Sequence, residues 1–431
     1  MKKIYYNGVI LDGSQDMEEI KGKAILTEDK NILRIAPLED LSAGEKEGAE
    51  LVDLKGKYIM PGLINLHVHI PGDGKASAKL SDTKKLVKII LSNPITRWYL
   101  HKMYRGYVKV DLFSGVTTIR SVGGVTDYDT KTRDAIEKGE VVGPRILASN
   151  MAISVPEGHM AGSLAYECTS EEMARELVLQ IAMDKPDLIK LMITGGVLDA
   201  EKVGEPGVLK MPANFVKAAC EEAHKLGLMV AAHVESPEGV KVALENGVDT
   251  IEHGAKLDDE LIALFKEKSA ADVATIMPSL FYSEVPREIS KISEKDFING
   301  CVVRDGIVDC AKKCLENGIP VGLGTDVGCT LVTHYNFWRE LQCIVKYCGV
   351  SNKQALNMAT LGNAKIARID NITGSIEEGK SADMIVLDRS PIDDLTALDK
   401  IEMVIMEGRL YRQPKVKKNP QVEELITAIL E

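Results

Sequence analysis

What this chain lacks narrows its chemistry before any motif is read. None of its eight cysteines (168, 220, 301, 310, 314, 329, 343 and 348) is spaced as Cys-x-x-Cys. With no secretion signal in the sequence, they read as reduced thiols in a cytoplasmic protein. Cys310 and Cys314, four apart on an expected helix, suit a buried structural role. Met1–Asn7 carries two lysines but no apolar run of signal-peptide length. No stretch approaches the ~20 apolar residues of a membrane span. Basic excess is missing too: the net charge of −11 argues against nucleic acid or an anionic membrane as partner. Finally, no Gly-x-Gly-x-x-Gly follows the first buried strand, which disfavours a doubly wound nucleotide fold.

At 431 residues, with 45% hydrophobic and 27% charged residues, the chain is long enough for a large domain plus a smaller one. Residues 1–59 read as short alternating strands broken by Gly and Asp, and residues 366–413 repeat that style. The two segments are expected to pair into one composite β-sandwich domain. Between them, residues 60–365 alternate apolar runs with amphipathic stretches. The runs are Leu63–Leu66, Thr117–Ser121, Arg145–Ala148, Leu188–Ile193, Met229–Ala232, Thr250–Ile251, Ala274–Met277 and Val321–Leu323. Helical spacing marks Ser170–Met183, Ala213–Leu226, Pro237–Asn246 and Asp258–Lys268. Near-continuous apolar strands alternating with helices predict an α/β fold, a distorted (β/α)8 TIM barrel. Residues 72–110 form a long first connection, a lid or a helical spacer. Residues 414–431 end in a short amphipathic helix, Val422–Leu430, suited to docking; a homo-oligomer is expected.

Chemistry in such a barrel sits where strands end, at the C-terminal face. The first strand ends in Asn65-Leu-His67-Val-His69, and alternate residues of a strand share a face. His233 ends the fifth strand, His253 the sixth, and Asp326 follows the eighth. Lys190 lies inside the apolar fourth strand, where an unpaired ammonium is costly. Burial lowers its pKa and makes the amine nucleophilic. Such an amine can add carbon dioxide to give a carbamate, an anionic ligand able to bridge two cations. His67, His69, Lys190, His233, His253 and Asp326 together supply a two-metal site, with cations about 3.5–4 Å apart.

These residues, with Met60-Pro-Gly-Leu-Ile-Asn-Leu-His-Val-His69, Ile189-Lys-Leu-Met-Ile-Thr-Gly-Gly196, Val248-Asp-Thr-Ile-Glu-His-Gly254 and Gly324-Thr-Asp326, resemble the amidohydrolase superfamily in its binuclear, carboxylated-lysine form. The resemblance covers nearly the whole chain. It implies that His67 and His69 hold one metal, His233 and His253 the other, that Lys190 bridges, and that Asp326 completes the site. Two cations bring a bridging water towards pKa ~7. Asp326 then acts as base and later as acid in cleaving an amide C–N bond. Zinc is the default, with manganese or cobalt accepted by the same donors.

Within the superfamily the chain looks most like the prolidase-type and Xaa-Arg dipeptidase group, near the imidazolonepropionases. That implies a small amide, dipeptide or N-acyl amino acid as substrate. By the same resemblance His159 reaches the substrate. Prolidase-like members place a tyrosine two residues past the fifth-strand histidine, whereas this chain has Glu235, which would favour a cationic or hydroxyl-bearing substrate or form an ion pair. Arg120, ending the second strand, is either a partner for a substrate carboxylate or a structural ion pair. The rival readings are an imidazolonepropionase-like cyclic amide hydrolase, a mononuclear deaminase lacking the bridging lysine, and a catalytically inactive scaffold.

Overall fold

The computed structural model describes residues 1–74 and 83–431. Part of the long connection after the first barrel strand, residues 75–82, lies outside the described residues. Two compact units emerge, one of residues 1–65, 109–118 and 335–417, the other of residues 66–108, 119–334 and 418–431.

The first unit carries two sheets. Lys2–Tyr6 pairs antiparallel with Ala24–Glu28 and parallel with Glu50–Asp53. In the second sheet Tyr58–Pro61 pairs antiparallel with Met384–Leu387, which in turn pairs with Ile401–Met406. Strands more than 300 residues apart thus share one ladder. Alternation explains the packing: Tyr5, Ile10, Ile25, Ile59, Val386 and Ile405 all point into one apolar core.

A (β/α)8 barrel supplies the site. Leu63–Val68, Val116–Ser121 and Arg145–Ala148 form one sheet. Ala152–Ser154, Leu188–Met192, Met229–Val234, Thr250–His253, Ala271–Ala274 and Val321–Leu323 follow in parallel order in another. A parallel bridge between Val68 and Val327 joins the first strand to the chain just past the eighth. There the His69 amide donates to the Val327 carbonyl at 3.2 Å. These strands are buried almost throughout, as a sheet covered by helices requires.

The helices begin and end where local chemistry directs. Ser170, Ser236, Asp258 and Ser293 cap their helices by accepting from the amides of Met173, Gly239, Leu261 and Asp296. After Ala213–Lys225, Gly227 takes φ +74°, and the Leu228 amide closes back on the Ala223 carbonyl. Residues 83–91 and 94–113 are helices, so the described part of the first connection is helical. The tail helix is Pro420–Leu430, with Val422 and Ile426 buried.

One strand differs from expectation. The seventh runs Ala271–Ala274, and Ile276–Ser283 is a helix rather than the end of a strand. Asp272, fully buried within that strand, breaks the apolar run in sequence, and the apolar residues after it belong to a helix hydrophobic on nearly every side.

Candidate active site

At the C-terminal mouth of the barrel, the side chains of His67, His69, His159, Lys190, His233, Glu235, His253 and Asp326 line one cavity of about 490 Å³. His67 and His69 leave the first strand on the same face, as the two-residue period dictates. Their Nε2 atoms lie 3.5 and 3.2 Å from Asp326 Oδ1. Ligands around a tetrahedral zinc with bonds of ~2.0 Å stand roughly 3.3 Å apart, and each of these two contacts has about that length. His253 and Asp326 both adopt left-handed backbone, with φ of +73° and +56°. That conformation costs energy for a residue other than glycine and turns each side chain inward as its strand ends.

The opposite ring nitrogens are held. His67 Nδ1 lies 2.8 Å from Glu252 Oε2 and His69 Nδ1 lies 2.8 Å from the Gly123 carbonyl oxygen. A carboxylate and a carbonyl only accept, so both Nδ1 atoms carry the proton and both Nε2 atoms present lone pairs to the mouth. His253 Nδ1 meets Thr275 Oγ1 at 2.6 Å. His233 is reversed, its Nε2 lying 3.2 Å from the Gly195 carbonyl oxygen, which leaves Nδ1 as its lone-pair nitrogen. Burial, and then the nearby Lys190, brings His67 down to about 4. His233 and His253 are likewise held well below the usual imidazole value, first by burial. Imidazoles held by one ring nitrogen and offering the other are what a divalent cation needs.

Lys190 is 1% exposed, and its Nζ has no hydrogen-bond partner among the described residues. Burial lowers it to about 8, against the pull of Glu252. An orphaned buried amine among lone-pair nitrogens and a carboxylate fits a cation-binding centre. Among the described residues two trios have ligand atoms within 4.8 Å of one another: His67, His253 and Asp326; and His233, Glu235 and His253.

His159 stacks on His233, ring centroids 4.1 Å apart, and its Nδ1 bonds the Asp199 carboxylate. Glu235 faces the cavity with Oε2 unpartnered, pushed up to about 8 by burial and by Asp326 and Asp199. Of the two roles open to Arg120, a partner for a substrate carboxylate or a structural ion pair, the structure carries the ion pair and corrects the other. Its guanidinium is buried below the mouth, bonding the Leu66 carbonyl at 2.7 Å, Thr250 Oγ1 at 3.1 Å and Glu252 Oε1 at 2.7 Å. It does not line the cavity. Its charge is spent on Glu252, which orients His67. Sequence reasoning missed Glu252, Thr275 and Asp199. Glu252 did carry a signal, since an acid inside Thr250-Ile-Glu-His is as anomalous as Lys190 in its strand.

The outer cavity is apolar. Leu86, Ile90, Leu100 and Met103 come from the two helices inserted after the first strand, and Val303 and Ile307 also line it.

The amidohydrolase family model matches residues 58–411. In three dimensions the chain is similar to a Bifidobacterium longum protein provisionally assigned as a prolidase, with TM-score 0.88, 34% identity, and coverage of 100% of this chain and 99% of that one. A Xaa-Pro dipeptidase with methionine bound in its active site gives TM-score 0.81 at 29% identity, over 96% and 100% of the two chains. In sequence, Aspergillus niger ochratoxinase is 25% identical over 96% of this chain and 87% of its own length. With the match running through the barrel and every strand-end donor above, this chain belongs to the amidohydrolase family, hydrolases of C–N bonds that are generally metal-dependent.

Proposed function

We propose that this protein is a dipeptidase or N-acyl amino acid hydrolase in which His67, His69, Lys190, His233, His253 and Asp326 hold two divalent cations, zinc by default. The observation that carries the reading is the buried, partnerless Lys190 amine set among imidazoles whose outward nitrogens are pinned. Converted to a carbamate by adding carbon dioxide and losing a proton, that amine would supply an anionic ligand whose charge the cations would offset.

Bound cations supply Lewis acidity, polarising a carbonyl and acidifying water. The chain's own residues do the rest. Asp326, whose Oδ1 lies 3.5 and 3.2 Å from Nε2 of His67 and His69, accepts the proton of the attacking water and returns it to the leaving nitrogen. His159, braced by Asp199 and stacked flat on His233, holds an Nε2 at the cavity wall to orient the substrate's carbonyl or carboxylate. The apolar outer wall receives an uncharged side chain or acyl group and keeps bulk water from the reacting bond. The likeness to a Xaa-Pro dipeptidase that binds methionine supports an apolar amino acid as one half of the substrate.

The test is a library of dipeptides and N-acyl amino acids presented to protein loaded with zinc, manganese or cobalt. Turnover concentrated in members with apolar side chains is expected. If none were hydrolysed, the peptidase reading would fall while family membership stood.

A further inference from the structure

Glu235 is a partly buried residue whose carboxylate Oε2 is shut off from solvent, and no expected ligand set uses it. It follows His233 by two residues, one past the end of the strand Met229–Val234, and both side chains line the cavity. Its backbone is tightly held. The Glu235 amide donates to Thr194 Oγ1 at 3.0 Å. Opposite it, a Cβ placed on Gly207 would come 2.2 Å from the Glu235 carbonyl oxygen, so the neighbouring loop packs hard against this residue. Its side chain, by contrast, ends in an unpartnered Oε2. A carboxylate oxygen shut off from solvent without a partner is stabilised where a cation can meet it, and the Glu235 ligand oxygen lies within 4.8 Å of the ligand nitrogens of both His233 and His253.

We propose that Glu235 is a direct protein ligand of the cation held by His233 and His253. This rests on the metal reading above and adds a seventh residue to it. A carboxylate at this position gives the second cation an anionic ligand of its own, independent of the Lys190 carbamate. The second site then keeps part of its affinity when carbon dioxide is withheld. It also means that Glu235 is satisfied by the metal instead of reading a cationic group on the substrate.

The full chain, stripped of metal with a chelator, would be titrated with Zn²⁺ against a chromophoric competitor, and its Co²⁺ form followed by d–d absorption. Two ions are expected for the parent protein. Glu235→Gln should bind one of them at least ~100-fold more weakly, since loss even of a group that only supports a ligand costs 10–100-fold. The Co²⁺ band of that site should shift. Glu235→His, which restores a ligand, should recover the second ion, whereas Glu235→Leu should not, and this pair decides the matter if the Gln variant folds poorly. Two ions bound by Glu235→Gln within threefold of parent affinity, with an unaltered Co²⁺ spectrum, would overturn the proposal. A raised KM for amine-bearing substrates in that same variant would reassign Glu235 to the substrate. A parent protein that binds fewer than two ions would instead bring down the metal reading beneath it.

Discussion

Glu252→Gln is the most revealing single change, because it keeps shape and removes one charge at a point where three groups meet. Glu252 is fully buried, and Arg120 is 3% exposed. Oε1 receives the Arg120 guanidinium at 2.7 Å and the Thr250 hydroxyl at 2.6 Å, while Oε2 faces His67 Nδ1 at 2.8 Å. A glutamine has only one accepting oxygen. Turned one way, its NH2 confronts the Arg120 N–H groups. Turned the other way, it confronts His67 Nδ1–H and drives that ring to the tautomer whose Nε2 carries the proton. Breaking a buried pair from one side costs about 3–5 kcal/mol, of which the orphaned donor alone contributes about 1–3 kcal/mol. Unfolding 431 residues at ~2.1 cal/mol/K each, the metal-free protein should lose about 3–6 °C in melting temperature. Zinc affinity should also fall by about 10–100-fold, as loss of a ligand's orienting partner does. Calorimetry of the metal-free variant and a competitive zinc titration measure the two effects. A melting temperature within 1 °C of the parent, with zinc affinity within twofold, would refute the role assigned to the Arg120–Glu252–His67 chain.

Three other outcomes are expected. Asp326→Asn should reduce kcat by at least ~10²–10⁴-fold on any substrate the parent hydrolyses; undiminished hydrolysis would remove Asp326 from proton transfer. Lys190 is lowered from 10.5 to about 8, so between those values the unfolded chain binds more protons than the folded one. Metal-free protein in carbon-dioxide-free buffer should therefore carry the full penalty below about pH 8 and gain stability as pH rises towards 10.5. Lys190→Met, lacking that penalty, should be more stable than the parent by roughly 3 kcal/mol at pH 7, the gap closing near pH 10.5; a gap that does not change with pH would contradict burial as the cause. A Cβ on Gly324 would stand 2.4 Å from His67 Cβ, so Gly324→Ala should cost about 1–3 kcal/mol and weaken zinc binding in the same titration. An alanine variant with parental stability and affinity would show that His67 has room to move.

Barrel and strand-end donors were legible because both depend on short-range rules. A parallel strand buried on both faces must be apolar along its length, so Leu63–Leu66, Leu188–Ile193 and Met229–Ala232 stand out, and the polar residue that ends each run stands at the mouth. The seventh strand was misplaced because Asp272 interrupts its pattern and Ile276–Ser283 imitates it. A lysine in an aliphatic run is anomalous in any fold, so Lys190 announced itself. What the order of residues could not determine is which groups meet across the barrel. Arg120 and Glu252 lie 132 positions apart and pair only because the strands close on themselves. That closure decided between the two roles open to Arg120, making it the brace of a ligand's partner. The apolar wall of Leu86, Ile90, Leu100 and Met103 likewise exists only once two helices fold over the mouth. The sequence alone determined the period of each strand and the donor at its end, which are local properties of the backbone. Tertiary structure decided tautomers, ion pairs and cavity lining, because those depend on distances between residues that the chain order leaves free.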